Sequence, residues 1–546
     1  MTTLKFLSNN DSFIKEDDTI YITFSKVSYI KHKNNLDVIY FFDIDHLINE
    51  KKENGLLEKN LFIESKINEK RYFPLTFKYI YKYLLTYNQF YNRIIFLMNK
   101  YKGIKIIEYS NNMSFVFKRV ITAITLKYSI KTKINKEYFV GFSYRHSSEM
   151  LSDLPVNIES NNILLYLYSI YLRLKNHKIF IFPFSSSLKL PKSVNIFRIS
   201  IFSIIDKFLK SIGITKSNKH SSHILKKIDF SIKPTSKYTL NKDIWKNYRN
   251  DQIDLIEYII NVFFDNFTIK YLDTIKIKFK NLLKWSNTKC VILDETIDAY
   301  RRLVSSSCFE SNIEVEYIPH GIISEDLQFS YTSDKQYTDK YIPKTLAWNS
   351  NSASYLNNMS LNAEAINFPV NIDKPLNANK KDILVLLSYG DRVNLNQFEE
   401  DILSLLALLN KKKYHIDWKI HHNFFNESNK ARRIQKESIE ELLNTKLNFI
   451  SHDTRVSSIM KNYDLIIFTT YTTGIYEAAL LNVPFLIYSN ENEDCHGVNI
   501  SSLPIAYNDD DFKNLLEKPK KDYLGQIKDS LLENISLKDY LIMKCI

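Results

Sequence analysis

The chain has 546 residues, which is too long for a single hydrophobic core, so two or three domains are expected. Its composition, 45% hydrophobic and 25% charged, is ordinary for a globular protein. The net charge of +13 indicates a partner that carries phosphate. Nucleic acid is disfavoured, because the lysines are dispersed and no zinc spacing, basic-region helix or aromatic RNA-binding signature is present.

The cellular location is predicted from cysteines and apolar runs. The four cysteines form no C-x-x-C pair or disulfide-like pattern, which fits a reducing cytoplasm. The N-terminus lacks the apolar run of a signal peptide. The longest uncharged apolar stretch, residues 161–172, is shorter than the ~20 residues that cross a bilayer. We expect a cytoplasmic protein; the aromatic residues and excess lysines suit either peripheral contact with an anionic membrane or a large aromatic core.

The N-terminal part alternates strand-like and helical segments with low regularity. Strand patterns cover residues 19–25, 36–44, 103–110 and 178–185, and the clearest helical pattern covers 77–101. A polar stretch at 211–227 predicts a long loop.

A more regular unit follows. A strand at 290–295, a helix at 296–312 and a strand at 313–321 have the spacing of a parallel βαβ unit.

The C-terminal part has the clearest alternation. A polar stretch with two prolines, residues 367–381, predicts a linker. Near-continuous apolar runs then alternate with helical patterns, as in buried parallel strands. The sequence therefore predicts an α/β fold with two Rossmann-like domains facing a cleft: an irregular one at 1–368 and a regular one at 369–546, whose last helix can cross back. Such sheets bind ligands beyond the carboxyl ends of their strands, so the residues following each strand are the candidates.

A threonine-rich turn follows the apolar strand that ends at Phe468. It leads through Thr472 and Thr473 to Gly474, where a helix begins. A helix start presents unpaired N–H groups to an anion, and a glycine lets a phosphate approach the backbone. Glu477, one turn into the helix, can accept hydrogen bonds from a ribose or sugar diol. An ordinary helix cap remains the alternative.

This segment resembles the nucleotide-binding element of glycosyltransferases with the two-Rossmann GT-B architecture. In that element a Ser/Thr/Gly-rich loop opens a helix carrying Glu-Ala, and a proline precedes the next strand. The matching residues are Thr472, Thr473, Gly474, Glu477, Ala478 and Pro484. The resemblance implies that residues 369–546 bind a nucleotide-sugar donor, the loop holding its phosphates and Glu477 its ribose or sugar. Sugar-nucleotide 2-epimerases carry related elements.

A His-Gly pair, His320 and Gly321, directly follows the strand in the 313–321 segment. It resembles the pair that closes the N-terminal domain in surface-polysaccharide and polyol-phosphate transferases of this superfamily. The resemblance implies that both residues face the cleft. His320 can then act as a general base or a phosphate ligand, or it can be a capping or packing residue.

A Lys-x-His sequence, Lys419 and His421, stands at another strand end, and alternation places both side chains on one face. It resembles the Lys-x-His-Pro phrase of capsule and lipopolysaccharide glycosyltransferases, including Kdo transferases, although His422 replaces the proline. A nucleotide diphosphate, or a CMP phosphate with a sugar carboxylate, would suit these side chains. The two histidines also allow a metal interpretation, which the lack of a third ligand nearby disfavours.

Two further strand ends carry polar candidates. Asp294 and Glu295 can supply a base or a covalent nucleophile for glycosyl transfer, or cap the following helix. Gly390 and Arg392 can close over donor phosphates, or form an ordinary polar turn.

The resemblance implies a metal-independent glycosyltransferase without a cofactor. The donor would be a nucleotide sugar, for example a CMP-linked acidic sugar such as Kdo or a sialic-acid-like sugar. The acceptor would be a bacterial surface glycan of the capsule or lipopolysaccharide, or its lipid-linked form, bound by residues 1–368. Three alternatives stay open: a CDP-glycerol-type polyol-phosphate transferase, a sugar-nucleotide epimerase, and a non-catalytic scaffold at the membrane.

Overall fold

The computed structural model describes residues 2–7, 15–34, 37–43, 60–61, 63–64, 73–110, 115–135, 170, 179–181, 195–196, 239–263, 266–293, 299–318, 344–358, 361–367, 381–387, 397–409, 414–420, 430–451, 454–469, 472, 474–488, 503–517, 522–531 and 535–545. Helices and strands are numbered along these residues.

The first sheet lies within residues 2–135. Its strands are β1 (Thr2–Phe6), β2 (Thr19–Thr23), β3 (Val38–Tyr40), β4 (Ile104–Ser110) and β5 (Lys131–Asn135). They are parallel and lie in the order β3-β2-β1-β4-β5. Parallel neighbours need crossover connections, which here contain the helices α1 (Lys26–His32), α2 (Phe73–Lys100) and α3 (Phe115–Tyr128).

The second sheet lies within residues 179–365. Its strands are β6 (Ile179–Ile181), β7 (Asn195–Ile196), β8 (Cys290–Leu293), β9 (Glu314–Tyr317), β10 (Lys344–Ala347) and β11 (Ala363–Ala365). They are also parallel, in the order β7-β6-β8-β9-β10-β11. The described helices of this region are α4 (Lys242–Trp245), α5 (Asn250–Phe263), α6 (Asn266–Ser286), α7 (Ala299–Phe309) and α8 (Ser350–Asn358).

The third sheet lies within residues 381–506. Its strands are β12 (Lys381–Leu387), β13 (Ile416–Ile420), β14 (Asn448–Phe449), β15 (Tyr463–Phe468), β16 (Phe485–Tyr488) and β17 (Ile505–Ala506). The parallel order β14-β13-β12-β15-β16-β17 is that of a Rossmann sheet.

Helices cover both faces of this third sheet and continue beyond it. They are α9 (Gln397–Leu408), α10 (Lys430–Leu443), α11 (Val456–Ile459), α12 (Gly474–Leu480), α13 (Asp509–Glu517), α14 (Tyr523–Ser530) and α15 (Leu537–Cys545). Apolar side chains of α11, α12 and α14 pack against one face, and those of α9, α10 and α13 against the other. The sheet is therefore doubly wound.

The predicted α/β class with parallel Rossmann-like sheets is confirmed by these pairings. The βαβ prediction is also confirmed, since β8 pairs in parallel with β9 and α7 lies between them. The region 1–368 contains two sheets. The sequence made this region look irregular because the strands of its second sheet are short and widely separated along the chain. The boundary proposed between residues 368 and 369 falls outside the described residues.

Hydrophobic packing connects the three sheets. One core cluster joins side chains of the first sheet, such as Leu4, to side chains of the second, such as Val291. The last helix, α15, returns to the second sheet, where Leu537 and Leu541 pack against Ile292. Within the described residues, no helix combines the length and the apolar character that crossing a membrane requires.

Candidate functional site

The carboxyl end of the third sheet contains the site with the most described candidate residues. Along the chain, β12, β13 and β14 are added on one side of the sheet, and β15, β16 and β17 on the other. The boundary between β12 and β15 is therefore the topological switch point of the sheet. Ligands of open α/β sheets bind beyond the strands at such a point. The backbone N–H of Thr469 donates a 3.2 Å hydrogen bond to the Leu386 carbonyl and ties the end of β15 to β12. The threonine-rich turn therefore begins at the switch point.

Thr472 organises the start of α12. Its hydroxyl oxygen accepts a 3.0 Å hydrogen bond from the Gly474 N–H, and its carbonyl accepts one of 3.2 Å from the Ile475 N–H. This is the geometry of a helix cap, so the capping interpretation of the sequence describes the local structure. A threonine hydroxyl that accepts one hydrogen bond can still donate its own proton. Capping and ligand binding by Thr472 are therefore compatible.

Gly474 is required by packing inside the protein. A Cβ atom added there would lie 2.9 Å from Cε1 of Phe468 and 3.2 Å from the Thr472 hydroxyl oxygen. Phe468 is fully buried, so its ring cannot move aside at low cost. The missing side chain brings the start of α12 close to the end of β15. The interpretation made from the sequence was that this glycine makes room for a phosphate. The close approach of helix and strand is enough to explain the glycine without a ligand.

Lys419 is a buried cation on the same face of the sheet. In the strand register, Lys419 of β13 is aligned with Leu386 of β12, which is aligned with Phe468 of β15. Aligned residues of neighbouring strands lie on the same face of a sheet. Lys419 and Phe468 therefore share a face and are two strands apart, about 10 Å at the usual strand spacing. The side chain is 4% exposed, and its Nζ donates a 2.9 Å hydrogen bond to the Ser451 carbonyl. The ammonium group is thus held at the carboxyl end of β13, on the face that α12 covers.

Asp417, two residues before Lys419, is the centre of a buried polar network on that face. Its carboxylate accepts hydrogen bonds from Lys381 (2.5 Å), from the Tyr463 hydroxyl (2.6 Å) and from Asn448. Burial alone would raise the pKa of Asp417, but these donors outweigh it and lower the pKa below its usual value. The network fixes β13 relative to β12 and β15, and so fixes the strand that carries Lys419.

Glu477 lies in the first turn of α12 and is partly buried. Its backbone carbonyl accepts a 3.0 Å hydrogen bond from the Leu481 N–H, as expected within a helix. The role of its carboxylate toward a ribose or sugar stays a prediction.

The other predicted site residues lie outside the described part of the chain: Asp294, Glu295, His320, Gly321, Gly390, Arg392, His421 and Thr473. The strands that precede some of them are described. The Ile318 N–H donates a 2.9 Å hydrogen bond to the Leu293 carbonyl, so the chain leaves β8 and β9 at the same level. Asp294 follows Leu293 directly and His320 comes two residues after Ile318. Their proximity stays a prediction.

Sequence reasoning missed two residues that shape this site. Phe468 determines the need for Gly474, and Ser451 accepts the Lys419 hydrogen bond. An aromatic residue at the end of a buried strand, just before a turn that contains a glycine, is a usable signal for the first. Ser451 acts through its backbone carbonyl, for which side-chain identity carries no signal.

No protein-family model matches the chain, and no curated protein matches it. Among solved structures, the chain is similar to UDP-GlcNAc 2-epimerase from Methanocaldococcus jannaschii, with 13% identity over 50% of this chain and 81% of that chain and a TM-score of 0.36. It is similar to the spinosyn rhamnosyltransferase SpnG, with 10% identity over 50% and 77% of the two chains and a TM-score of 0.33. It is also similar to MurG from Acinetobacter baumannii, with 10% identity over 51% and 79% and a TM-score of 0.33. Similarity at this level is distant and assigns the chain to no family.

Proposed function

We propose that the chain is a glycosyltransferase of the GT-B type that uses a nucleotide-activated sugar. One observation carries the proposal: the Thr472–Gly474 turn follows β15 at the topological switch point of a Rossmann-ordered sheet. This is the position at which such sheets bind nucleotides. The buried cation of Lys419 on the same face supports a ligand that carries negative charge.

The donor site would be formed by the third sheet. The leaving nucleotide gains negative charge as the glycosidic bond breaks, and hydrogen-bond donors placed beforehand around its phosphates stabilise that charge. Thr472, Thr473, Gly474 and Lys419 would supply these donors, and Glu477 would bind the ribose or the sugar. Gly390, Arg392, Gly321 and His421 would complete the donor site.

The acceptor site would be formed by residues 1–368, across a cleft from the donor. The aligned ends of β8 and β9 support a common location for the residues that follow them. Asp294, Glu295 or His320 would then remove the acceptor proton or attack the sugar. These roles require no bound metal, because lysine, arginine and backbone donors would neutralise the phosphates.

The proposed substrates are those implied by the sequence resemblance. A CMP-linked acidic sugar suits Lys419 and His421, since the lysine cation can meet the phosphate and a histidine N–H can donate to the sugar carboxylate. The acceptor would be a bacterial surface glycan or its lipid-linked form. A CDP-glycerol-type transferase would use the same kind of donor site and transfer a phosphorus-linked polyol instead.

Nucleotide binding is the first test. We expect one of CMP, CDP, UDP and GDP to raise the melting temperature of the purified chain, because a ligand that binds only the native state stabilises it. The substitution Thr472→Val should weaken that binding about fivefold and Glu477→Gln about tenfold, the usual effect of losing a neutral and a charged hydrogen bond. Thr122→Val and Glu517→Gln, exposed positions elsewhere, are the matched controls.

Turnover then separates the alternatives. A glycosyltransferase releases the nucleotide from a nucleotide sugar and transfers the sugar to an acceptor. A polyol-phosphate transferase releases CMP from CDP-glycerol, and an epimerase converts its substrate without an acceptor. A scaffold would leave cellular glycan unchanged after His320→Ala and Glu477→Ala. If a panel of UDP-, GDP- and CMP-sugars gives neither binding nor donor hydrolysis, the proposal is wrong.

A further inference from the structure

A basic cavity lies at the amino ends of β8 and β9 in the second sheet. It has a volume of about 580 Å³ and opens to solvent between the end of α6 and the residues that precede β8 and β9. Its lining residues are Ile277, Lys280, Asn281, Leu283, Lys284, Asn287, Thr288, Lys289, Ser311, Asn312 and Ile313. This lining contains three lysines and no acidic residue. The cavity therefore presents positive charge to solvent.

Helical spacing produces one wall of the cavity. Ile277, Lys280, Asn281 and Lys284 recur at intervals of three and four residues, which puts them on one face of α6. The opposite face of the helix carries buried apolar residues, including Phe279 and Leu282. The wall is thus held in place by the core and does not depend on a loop.

The lysines of the cavity differ in their partners. Lys280 forms a 2.8 Å ion pair with Glu310, which also pairs with Lys276. Lys284 and Lys289 are exposed, and neither forms an ion pair within the described part of the chain. These two ammonium groups are available to an anion from solution.

Two asparagines of the cavity have a structural explanation. Asn287 and Asn312 have positive φ values of 56° and 52°, a conformation that asparagine tolerates better than most residues. They are required by the turns after α6 and before β9. The two asparagines are therefore no evidence of a ligand, and a ligand of this surface would be bound by the lysines and by exposed apolar side chains.

Exposed apolar side chains lie on the two helices, α6 and α7, that meet beside the cavity. Ile277 lines the cavity and is 59% exposed, and Phe309 at the end of α7 is 51% exposed. Phe309 directly precedes Glu310, the residue that pairs with Lys276 and Lys280 of α6. An inorganic anion such as phosphate has no apolar surface that these side chains could bury. A bilayer surface offers both anionic headgroups and an apolar layer beneath them.

We propose that this surface, composed of Ile277, Lys284, Lys289 and Phe309, docks the protein on an anionic membrane. The lysines contact headgroup phosphates, and the apolar side chains enter the interface. The site is separate from the donor site, since it lies at the amino ends of β8 and β9. Docking would present a lipid-linked acceptor to the enzyme, but the binding itself does not depend on the proposed glycosyl transfer.

Vesicle co-sedimentation with the full-length chain tests the proposal. We expect strong binding to vesicles of phosphatidylcholine mixed with phosphatidylglycerol and weak binding to phosphatidylcholine alone. The pair Lys284→Gln and Lys289→Gln should lower the partition coefficient about 25-fold, at about fivefold for each lysine. The pair Ile277→Ser and Phe309→Ser should lower it on anionic vesicles as well, and added salt should weaken binding.

Matched variants test whether vesicle binding depends on this surface or on the positive charge of the whole protein. Lys446→Gln with Lys461→Gln removes two exposed lysines of the third-sheet region, and Leu126→Ser removes an apolar side chain that is 78% exposed on α3. Both should leave vesicle binding unchanged, and all variants should keep the melting temperature and nucleotide response of the parent.

Three results would overturn the proposal. One is equal binding to neutral and anionic vesicles. Another is the same loss of binding in the Lys446/Lys461 pair as in the Lys284/Lys289 pair. The third is stabilisation by inorganic phosphate through Lys284 and Lys289 without vesicle binding, which would assign the cavity to a soluble anion. Retained nucleotide binding in any of these cases would leave the proposed function intact.

Discussion

Ser25 Oγ donates a 2.8 Å hydrogen bond to Glu399 Oε2, and both residues are buried although 374 positions separate them in the chain. The same carboxylate oxygen accepts a 3.2 Å hydrogen bond from the Val27 N–H. Val27 itself packs in a core cluster of the third sheet. The start of α1 in the first-sheet region is therefore docked on α9 of the third.

Removing the Ser25 hydroxyl should destabilise the protein. Ser25→Ala removes both the helix cap of α1 and a donor to a buried carboxylate, and we expect a loss of about 2–3 kcal/mol of unfolding free energy. Ser536→Ala is the control, because the Ser536 hydroxyl also accepts from a backbone N–H and donates to a carboxylate, both of Asp539, but at a partly exposed site; this change should cost about 1 kcal/mol. Denaturant unfolding measures both. Equal losses would show that the burial of the Ser25–Glu399 contact adds nothing to its contribution.

Asp417 should control stability in acid. Because its folded pKa is lowered, the carboxylate contributes stability above its ordinary pKa of 3.8, and this contribution is lost as the pH falls through the lower, folded-state value. Asp417→Asn breaks a buried charged network and should cost about 3–5 kcal/mol at neutral pH. Unfolding measured from pH 7 to pH 2 should show the gap between parent and variant closing only in acid. Exposed Asp529→Asn should show no gap, and a constant gap for Asp417→Asn would contradict the assignment.

Lys544 should control stability in base. Burial alone lowers the pKa of Lys544, but its hydrogen bonds to Glu314 and Glu316 outweigh burial and raise the pKa. The stability gained from this pairing is therefore fully present below the ordinary lysine pKa of 10.5 and is lost as the pH rises through the folded-state value.

The matching experiment compares the parent with Lys544→Met from neutral to strongly alkaline pH. Loss of the cation leaves Glu316, which is 0% exposed, without its charge partner, so the variant should be less stable at neutral pH. The difference should shrink in alkali. Lys513→Met, an exposed lysine with a weak 3.9 Å pair, serves as the control. If the difference in unfolding free energy between the parent and Lys544→Met grew with pH, the stabilising role of the Lys544 ion pairs would be refuted.

The packing of Gly474 against Phe468 predicts a compensating pair of mutations. Gly474→Ala should destabilise the chain by about 1–3 kcal/mol, the usual cost of overpacking a core. Phe468→Leu removes the ring edge that the new Cβ would meet, so adding Gly474→Ala to that variant should cost less. A double-mutant cycle by denaturant unfolding measures the coupling. Additive costs would mean that Phe468 is not the reason for the glycine.

Nucleotide binding by the same variants separates the two explanations of this glycine. If Gly474 serves packing alone, the doubly substituted chain should bind nucleotide as the parent does once it is folded. If the backbone at Gly474 also contacts a phosphate, binding should stay weak in the double variant, because the added methyl group still occupies the approach to the N–H. Thermal shift with the nucleotide that stabilises the parent gives the answer.

Local sequence was sufficient to predict the strands and helices whose own residues have a clear apolar pattern. The apolar runs of β12 and β15 predicted buried parallel strands, and the 290–321 segment predicted a βαβ unit, as observed. Strand β5, by contrast, has the mainly polar sequence KTKIN over Lys131–Asn135 and was missed. It lies at a sheet edge, where pairing with β4 through the backbone specifies a strand without an apolar pattern.

The sequence by itself determined the α/β class, the βαβ pattern and the turn from Thr472 to Gly474, because hydrophobic periodicity and helix-start chemistry act over a few residues. Tertiary structure alone decided the two-sheet division of residues 1–368, the partner of Lys419, the need for Gly474 and the Ser25–Glu399 contact. Each of these depends on which distant backbone or side-chain atoms come within a few ångströms. That proximity is set by the packing of whole sheets, and no short segment encodes it.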